Sequence, residues 1–135
     1  MEQTLFSSLI SQFLQKNYPE FLPVKYYEDG SFECELKSPN GNFGMWIATY
    51  NQEITYGLES PDGKTDIHSH ISCYDLDDLP FCENLLKEWI ESVKNDLTLI
   101  YLTDKEVWDW IDGKDLASKE IKGMKTYRQY KWSKP

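Results

Sequence analysis

The chain has 135 residues, of which 40% are hydrophobic and 15% aromatic, and its formal net charge is −9. This length fits one domain, residues 1–135, and this apolar content argues against disorder in spite of the charge. The acidic balance disfavours nucleic acid and anionic membranes as partners, and no apolar run approaches the roughly 18 residues that cross a bilayer.

The first predicted element is an amphipathic helix close to the N-terminus. Its apolar residues recur at helical spacing, and Pro19 interrupts the pattern just after Asn17. The stripe consists of Leu5, Phe6, Leu9, Ile10, Phe13 and Leu14. We expect this stripe to pack against the rest of the domain.

From Val24 to Ser72 the hydrophobic pattern changes to the period of two that is typical of half-buried strands. Two rows of apolar residues carry it: Phe32, Cys34 and Leu36, and then Ile54, Tyr56 and Leu58. Turn-forming residues such as Asp29 and Gly30 separate the runs at regular intervals. The run from Phe43 to Tyr50 is apolar on both faces, so we place it at the centre of an antiparallel meander between amphipathic neighbours.

A second helix is predicted near residues 78–95, with Asp77 or Asp78 as its N-cap and Pro80 in its first turn. A buried strand from Leu97 to Thr103 and an edge strand from Tyr127 to Trp132 follow, while residues 104–118 fit either a helical turn or a strand. The predicted fold class is α+β: an antiparallel β-meander of about five to six strands packed against an N-terminal helix and this second helix.

The three cysteines favour a reduced protein in the cytoplasm. Their number is odd and they show no CxxC spacing, which predicts neither a disulfide framework nor a tetrahedral zinc site. Cys34 and Cys82 fall on predicted core positions, and the acidic residues beside Cys73 disfavour its thiolate.

Charge is segregated along the sequence. The segment from Glu53 to Glu83 holds eight acidic residues and one lysine, Lys64, so it carries −7 of the net charge of −9. The last seventeen residues reverse the sign, with six basic residues and one glutamate. An uneven charge distribution of this kind affects which partners bind and how fast they associate, more than it affects the fold.

Both histidines lie in the acidic segment, at an HxH spacing that places their side chains on one face of a strand. Asp66 shares that face, whereas Ile67 and Ile71 take the opposite, core-facing side. His68 and His70 are therefore expected on the solvent side. A partner contact, a metal site and a purely structural role all remain open, and we favour the partner contact.

Other chemistry is poorly supported by the sequence. Ser69 lies between the histidines but its side chain alternates to the other strand face, so no triad forms from neighbours. We therefore assign no catalytic residue, no metal ligand and no cofactor. The lysines and aromatic residues after Lys119 also occur in grooves for single-stranded nucleic acid, but the net charge favours an edge strand protected by lysines.

The plan of the chain resembles that of immunity proteins from bacterial polymorphic-toxin and contact-dependent inhibition systems. The resemblance centres on Glu53–Asp78, EITYGLESPDGKTDIHSHISCYDLDD, where a strand, a turn and the HxH strand lead into an acidic helix start. It implies a protein that binds one cognate toxin and blocks it. A basic nuclease is one candidate toxin, since a negative face speeds its association and mimics its phosphate substrate.

We therefore expect a non-enzymatic binding protein, most simply an immunity protein whose acidic face contacts a toxin. The alternatives are a metal-dependent hydrolase using Asp66, His68 and His70, and a structural or adaptor subunit. The predicted partner contacts are Glu59, Asp62, Asp66, His68, His70, Asp75, Asp77 and Asp78. Tyr56 and Tyr74 are candidate aromatic anchors within this field.

Overall fold

A computed structural model describes residues 1–64, 66–103, 108–112 and 126–133. The chain divides into two compact units that interleave along the sequence. The first unit comprises Met1–Leu36, Met45–Gly57 and His68–Lys87, and the second comprises Lys37–Gly44, Leu58–Ile67 and Glu88–Pro135. The expectation of a single domain stays a prediction.

The main sheet is an antiparallel meander of five strands in sequence order, β1-β2-β3-β4-β5. The strands are β1 (Lys25–Tyr26), β2 (Phe32–Lys37), β3 (Gly44–Ala48), β4 (Glu53–Glu59) and β5 (Asp66–Ser72). The pairing of β1 with β2 sets Lys25 opposite Glu33 and Tyr26 opposite Phe32. The fold class and the meander predicted from the sequence are confirmed, and β3 is the central strand as expected.

The strand β4 corrects one sequence prediction. It was expected to be amphipathic, with Tyr56 in its buried row, yet both of its faces are largely covered: Thr55 and Gly57 are buried on one face and Ile54 and Leu58 on the other. Thr55 is covered in part because its hydroxyl contacts the imidazole of His70. Tyr56 is half-buried, so simple alternation misplaced it.

Helix α1 (Gln3–Asn17) packs in the first unit through the predicted apolar stripe, and Phe6, Ile10 and Leu14 are fully buried. Pro19 starts a short 3-10 helix after α1, in agreement with its predicted role as a helix stop. A buried polar contact accompanies the apolar ones, since the hydroxyls of Ser7 and Thr49 lie 2.8 Å apart.

A tight turn before β2 depends on a glycine. Gly30 has φ of +86°, and a Cβ there would lie 2.8 Å from Thr4 Oγ1. We expect Gly30→Ala to lower the free energy of unfolding by about 1–3 kcal/mol, because alanine is strained in the left-handed conformation and its Cβ would also lie too close to Thr4. Denaturant unfolding measures this change.

Gly41 provides the matched control for Gly30. Its φ is +75°, but no atom lies within 4 Å of a Cβ built there. Gly41→Ala should therefore show only the backbone cost of about 1 kcal/mol. Equal losses in the two variants would contradict the role given to the Thr4 contact.

Helix α2 spans Leu79–Lys94, which confirms the second predicted helix. Its apolar positions Cys82, Leu86, Ile90 and Val93 are all buried. Asp78, one of the two predicted N-cap residues, directly precedes the first residue of α2. Asp75 caps a 3-10 turn at Leu76–Asp78, where its carboxylate accepts the backbone N–H groups of Asp77 and Asp78.

The last strands form a second, three-stranded sheet in the order β7-β6-β8. They are β6 (Thr98–Thr103), β7 (Trp108–Asp112) and β8 (Thr126–Tyr130), and β6 pairs antiparallel with both neighbours. The buried strand after α2 and the edge strand near the C-terminus are confirmed. The open choice at residues 104–118 resolves to a strand at 108–112, and the rest of that range lies outside the described residues.

Candidate partner-binding surface

The eight predicted contact residues divide between the two units. Glu59, Asp62 and Asp66 belong to the second unit, whereas the two histidines and the three remaining aspartates belong to the first. Six of the eight are exposed, while Glu59 and Asp78 are half-buried. We describe the two groups separately.

In the second unit the acidic side chains are held by local contacts. Asp62 closes the turn between β4 and β5, where its Oδ1 accepts the Ser60 hydroxyl at 2.5 Å and the Lys64 N–H at 3.0 Å. The hydrogen bond from Ser60 lowers the pKa of Asp62, so the residue carries its charge at neutral pH. Glu59 lies 3.8 Å from Lys37 Nζ, which offsets part of its charge.

In the first unit, β5 presents His68 and His70 on its exposed face, as the HxH spacing predicted. The two imidazole rings lie 5.3 Å apart in an edge-to-face arrangement, and the indole of Trp46 lies 5.7 Å from His68. On the other face Ile71 is buried and Ile67 half-buried. The alternation of this strand is therefore confirmed.

The surroundings of His70 resemble a catalytic triad in composition but not in geometry. Its Nδ1 lies 2.9 Å from Thr55 Oγ1 and 3.1 Å from Glu53 Oε1. In a catalytic triad, the carboxylate contacts one ring nitrogen and orients the imidazole. The other ring nitrogen accepts the proton of the hydroxyl and so activates it. Here both contacts involve the same nitrogen, Nδ1, so the arrangement is not that of a triad.

The described residues contain no group of three or more His, Cys, Asp or Glu side chains placed to hold a metal ion. A catalytic zinc site needs three protein ligands and an open position. Asp66, His68 and His70, the ligands of the hydrolase alternative, therefore form no such group in the described part of the chain.

Cys34 and Cys82 are buried, as predicted, and Cys73 is buried as well, so all three are buried free thiols. Burial raises the pKa of Cys34 to about 12, and it does the same for Cys73, where Cys82, Asp78 and Asp75 add to the effect. Desolvation therefore contributes more at Cys73 than the like charge on which the sequence argument rested. Both thiols stay protonated at neutral pH and make poor nucleophiles.

The most distinctive surface of the first unit is residues 74–81, Tyr74 to Phe81, which we call the acidic-apolar segment. It joins β5 to the first turn of α2. Three of its large apolar side chains are exposed: Tyr74 by 80%, Phe81 by 67% and Leu76 by 55%. Asp75 and Asp77, also exposed, alternate with them. Large apolar side chains and carboxylates therefore share one short stretch of surface.

Asp75 gives this segment a defined shape. Its Oδ1 accepts the N–H of Asp77 at 2.9 Å and the N–H of Asp78 at 3.3 Å. Capping accounts for one of the three carboxylates, as helix chemistry requires. Within the described part of the chain, no lysine, arginine or histidine side chain lies within ion-pair distance of Asp75, Asp77 or Asp78.

Leu76 and Leu5 are partner candidates that the sequence argument missed. Together with Met1, Asp75 and Asp77 they line a shallow recess on the first unit. Leu5 was assigned to the buried stripe of α1, yet it is 42% exposed. The available signal was the placement of Leu76 between two aspartates, since an apolar residue in an acidic loop has no helical or strand pattern to explain it.

No protein-family model, curated protein or solved structure matches this chain. Within the described residues, no helix has both the length and the apolar character that a membrane-spanning helix requires.

Proposed function

We propose that this chain is a non-enzymatic binding protein, and specifically an immunity protein that neutralises a cognate bacterial toxin in the cytoplasm. The acidic-apolar segment is the observation that carries the proposal. It exposes Tyr74, Leu76 and Phe81 where the sequence also concentrates negative charge.

This combination is typical of a protein-binding surface. Aromatic side chains supply much of the binding energy at interfaces, and charged side chains around them set association rate and specificity. Leaving Tyr74 and Phe81 in water confers no packing stability on the free chain. Burial against a partner would remove that exposed apolar area from solvent and contribute to affinity.

The charge indicates what kind of partner fits. Exposed carboxylates attract a basic surface, and a basic nuclease presents one at its substrate groove. An adaptor subunit would use the same surface on a different protein, so the identity of the partner separates the two functions.

A growth-rescue experiment tests the proposal. Each open reading frame flanking the gene in its source genome is expressed from an inducible promoter, with and without this chain. We expect one of these products to arrest growth and co-expression of the chain to restore it. If none of the toxic products is relieved, the immunity function is wrong.

A charge-matched pair of variants ties the rescue to the surface. Neutralising Asp75, Asp77 and Asp78 to asparagine should weaken rescue, since Asn retains the capping oxygen at residue 75 while the charge is lost. Neutralising the exposed Glu2, Glu28 and Glu35 to glutamine removes the same charge from other parts of the first unit and should leave rescue intact. Equal effects would show that only the total charge matters.

A further inference from the structure

We infer that His68 and His70 form half of a zinc-binding site, which the same two histidines of a second copy of this chain complete. The two copies pair edge to edge along β5. Each chain supplies two imidazoles, and four ligands close the tetrahedral coordination of a structural zinc site. This inference goes beyond the proposed function and does not depend on it.

The strand β5 has an open edge among the described strands. It is the last strand of the main sheet, so β4 lies on one side of it and no described strand lies on the other. It has seven residues and contains no lysine or proline, the residues that commonly protect an exposed edge. The opposite edge strand, β1, has two residues and begins with Lys25. An unprotected edge of this length can pair with a strand of another chain.

The sequence of β5 identifies a second copy of the chain as the source of that strand. Residues 67–71 read IHSHI, which is the same in both directions about Ser69. In an antiparallel pair with its two-fold axis at Ser69, each histidine faces a histidine and each isoleucine faces an isoleucine of the other copy. Asp66 then faces Ser72, so no acidic residue of β5 faces another one. The strand is therefore complementary to itself in side-chain type and in charge.

All four imidazoles lie on one face of the combined sheet. Within one chain, the rings of His68 and His70 lie 5.3 Å apart. Directly opposite residues of an antiparallel pair have Cβ atoms about 4.5–5.5 Å apart, so the histidines of the second copy come equally close on the same face. One zinc ion on the two-fold axis can then bind an imidazole nitrogen from each of the four rings.

The contact between Glu53 and His70 favours the ring nitrogen that a metal needs. Glu53 Oε1 lies 3.1 Å from His70 Nδ1. A carboxylate acceptor at this position favours the tautomer with its proton on Nδ1, which leaves the lone pair of Nε2 for the metal. The His68 ring packs against the indole of Trp46, at 5.7 Å between ring centroids. Both imidazoles are thus oriented before zinc binds.

Sedimentation equilibrium tests the inference on the full chain, first stripped of metal with a chelator and then titrated with zinc chloride. Because each chain carries a net charge of −9, we expect the mass of one chain without zinc. We expect twice that mass once one zinc ion is present for every two chains. His68 and His70 are the only histidines of the sequence, so His68→Ala and His70→Ala should each abolish the change. Denaturant unfolding of the metal-free variants shows that each is folded.

A carboxylate variant tests the orientation of His70. Glu53→Gln should weaken zinc binding about tenfold, because the amide replaces the carboxylate at Nδ1. Glu35→Gln is the matched control, since it removes an exposed charge from β2 and no described contact joins Glu35 to either histidine. Equal zinc affinities in these two variants would overturn the role given to Glu53.

Disulfide formation tests the pairing of the two edges. The two copies of Ser69 meet at the axis with Cα atoms about 4.5–5.5 Å apart, which is within the range for a disulfide. Ser69→Cys should therefore form a disulfide-linked dimer when oxidised glutathione is added to the zinc-loaded chain. Ser72→Cys is the control, because at about 3.4 Å per residue its two copies lie about 20 Å apart.

Three results would each overturn the zinc-linked dimer. The first is a mass that zinc leaves unchanged, and the second is zinc-dependent dimerisation that persists in either histidine variant. The third is crosslinking of Ser69→Cys that is no faster than that of Ser72→Cys, since the edges would then not pair about Ser69.

Discussion

Thr49→Val should lower the free energy of unfolding by about 2–4 kcal/mol, although the two side chains have nearly the same shape. Thr49 is fully buried, and its Oγ1 accepts the N–H of Phe32 at 2.9 Å. The same hydroxyl lies 2.8 Å from Ser7 Oγ on α1. Valine would leave a buried backbone N–H without its acceptor, and that loss carries most of the effect.

The position of Thr49 explains why the loss of one hydroxyl should have a large effect on the free energy of unfolding. Its backbone N–H donates to the Phe32 carbonyl at 3.0 Å, and its own carbonyl accepts Gln3 Nε2 at 2.6 Å. Thr49 thus joins α1, the start of β2 and the end of β3. Removing a central member of a satisfied buried network costs more than removing a peripheral one.

Ser7→Ala is the matched control for Thr49→Val. It removes one hydroxyl from the same network but leaves Phe32 N–H bonded to Thr49, so we expect a loss of about 1 kcal/mol. The double variant should cost less than the sum of the two single changes, because they share a contact. Denaturant unfolding followed by tryptophan fluorescence measures all three, and a cost for Thr49→Val no larger than that for Ser7→Ala would contradict the assignment.

Thr49 also shows which features of the fold could not be predicted from the sequence. Periodicity is a local property, so it located α1, α2 and the five meander strands from rows such as Phe6 to Leu14. It carries no information on which buried threonine meets which serine across 42 residues of chain. For the same reason it did not separate β6, β7 and β8 into a sheet of their own, since pairing partners are a non-local choice.

The candidate surface was predicted in part, for a related reason. Charge can be counted along a sequence, so Asp75, Asp77 and Asp78 were found. Exposure of apolar side chains depends on what covers them, and Leu5 belongs by spacing to the stripe that Phe6 and Ile10 bury, yet it lies open. The cap at Asp75 was not predicted, because it belongs to a short 3-10 turn before α2, and turns of that length have no hydrophobic period.

Neutralising Asp75, Asp77 and Asp78 together should slow association with the toxin identified by rescue about tenfold or more at low salt. These side chains act at a distance, through the field that orients a basic partner before contact. Surface carboxylates that pair with no described cation contribute little to folding, so unfolding midpoints should change little. Stopped-flow association measured over a range of salt concentrations gives the rate.

Salt separates this effect from a loss of contacts. The Debye length is about 3 Å at 1 M ionic strength, so the parent chain and the charge variant should associate at converging rates there. A difference that persists undiminished at high salt would show that the carboxylates act by direct contact alone. The control with Glu2, Glu28 and Glu35 neutralised should stay near the parent rate at every salt concentration.

The apolar side chains of the acidic-apolar segment should affect dissociation of the complex, whereas the carboxylates affect association. Tyr74→Ala and Phe81→Ala each remove a large exposed ring that only a bound partner covers, so we expect dissociation to become about 30-fold faster for a side chain worth about 2 kcal/mol, with the association rate nearly unchanged. The two kinds of side chain affect different rates because charge attracts the partner before contact, whereas buried apolar area holds the complex together after contact. If the tyrosine and phenylalanine variants instead dissociate like the parent chain, the interface lies elsewhere on the molecule and the exposure of Tyr74 and Phe81 has another cause.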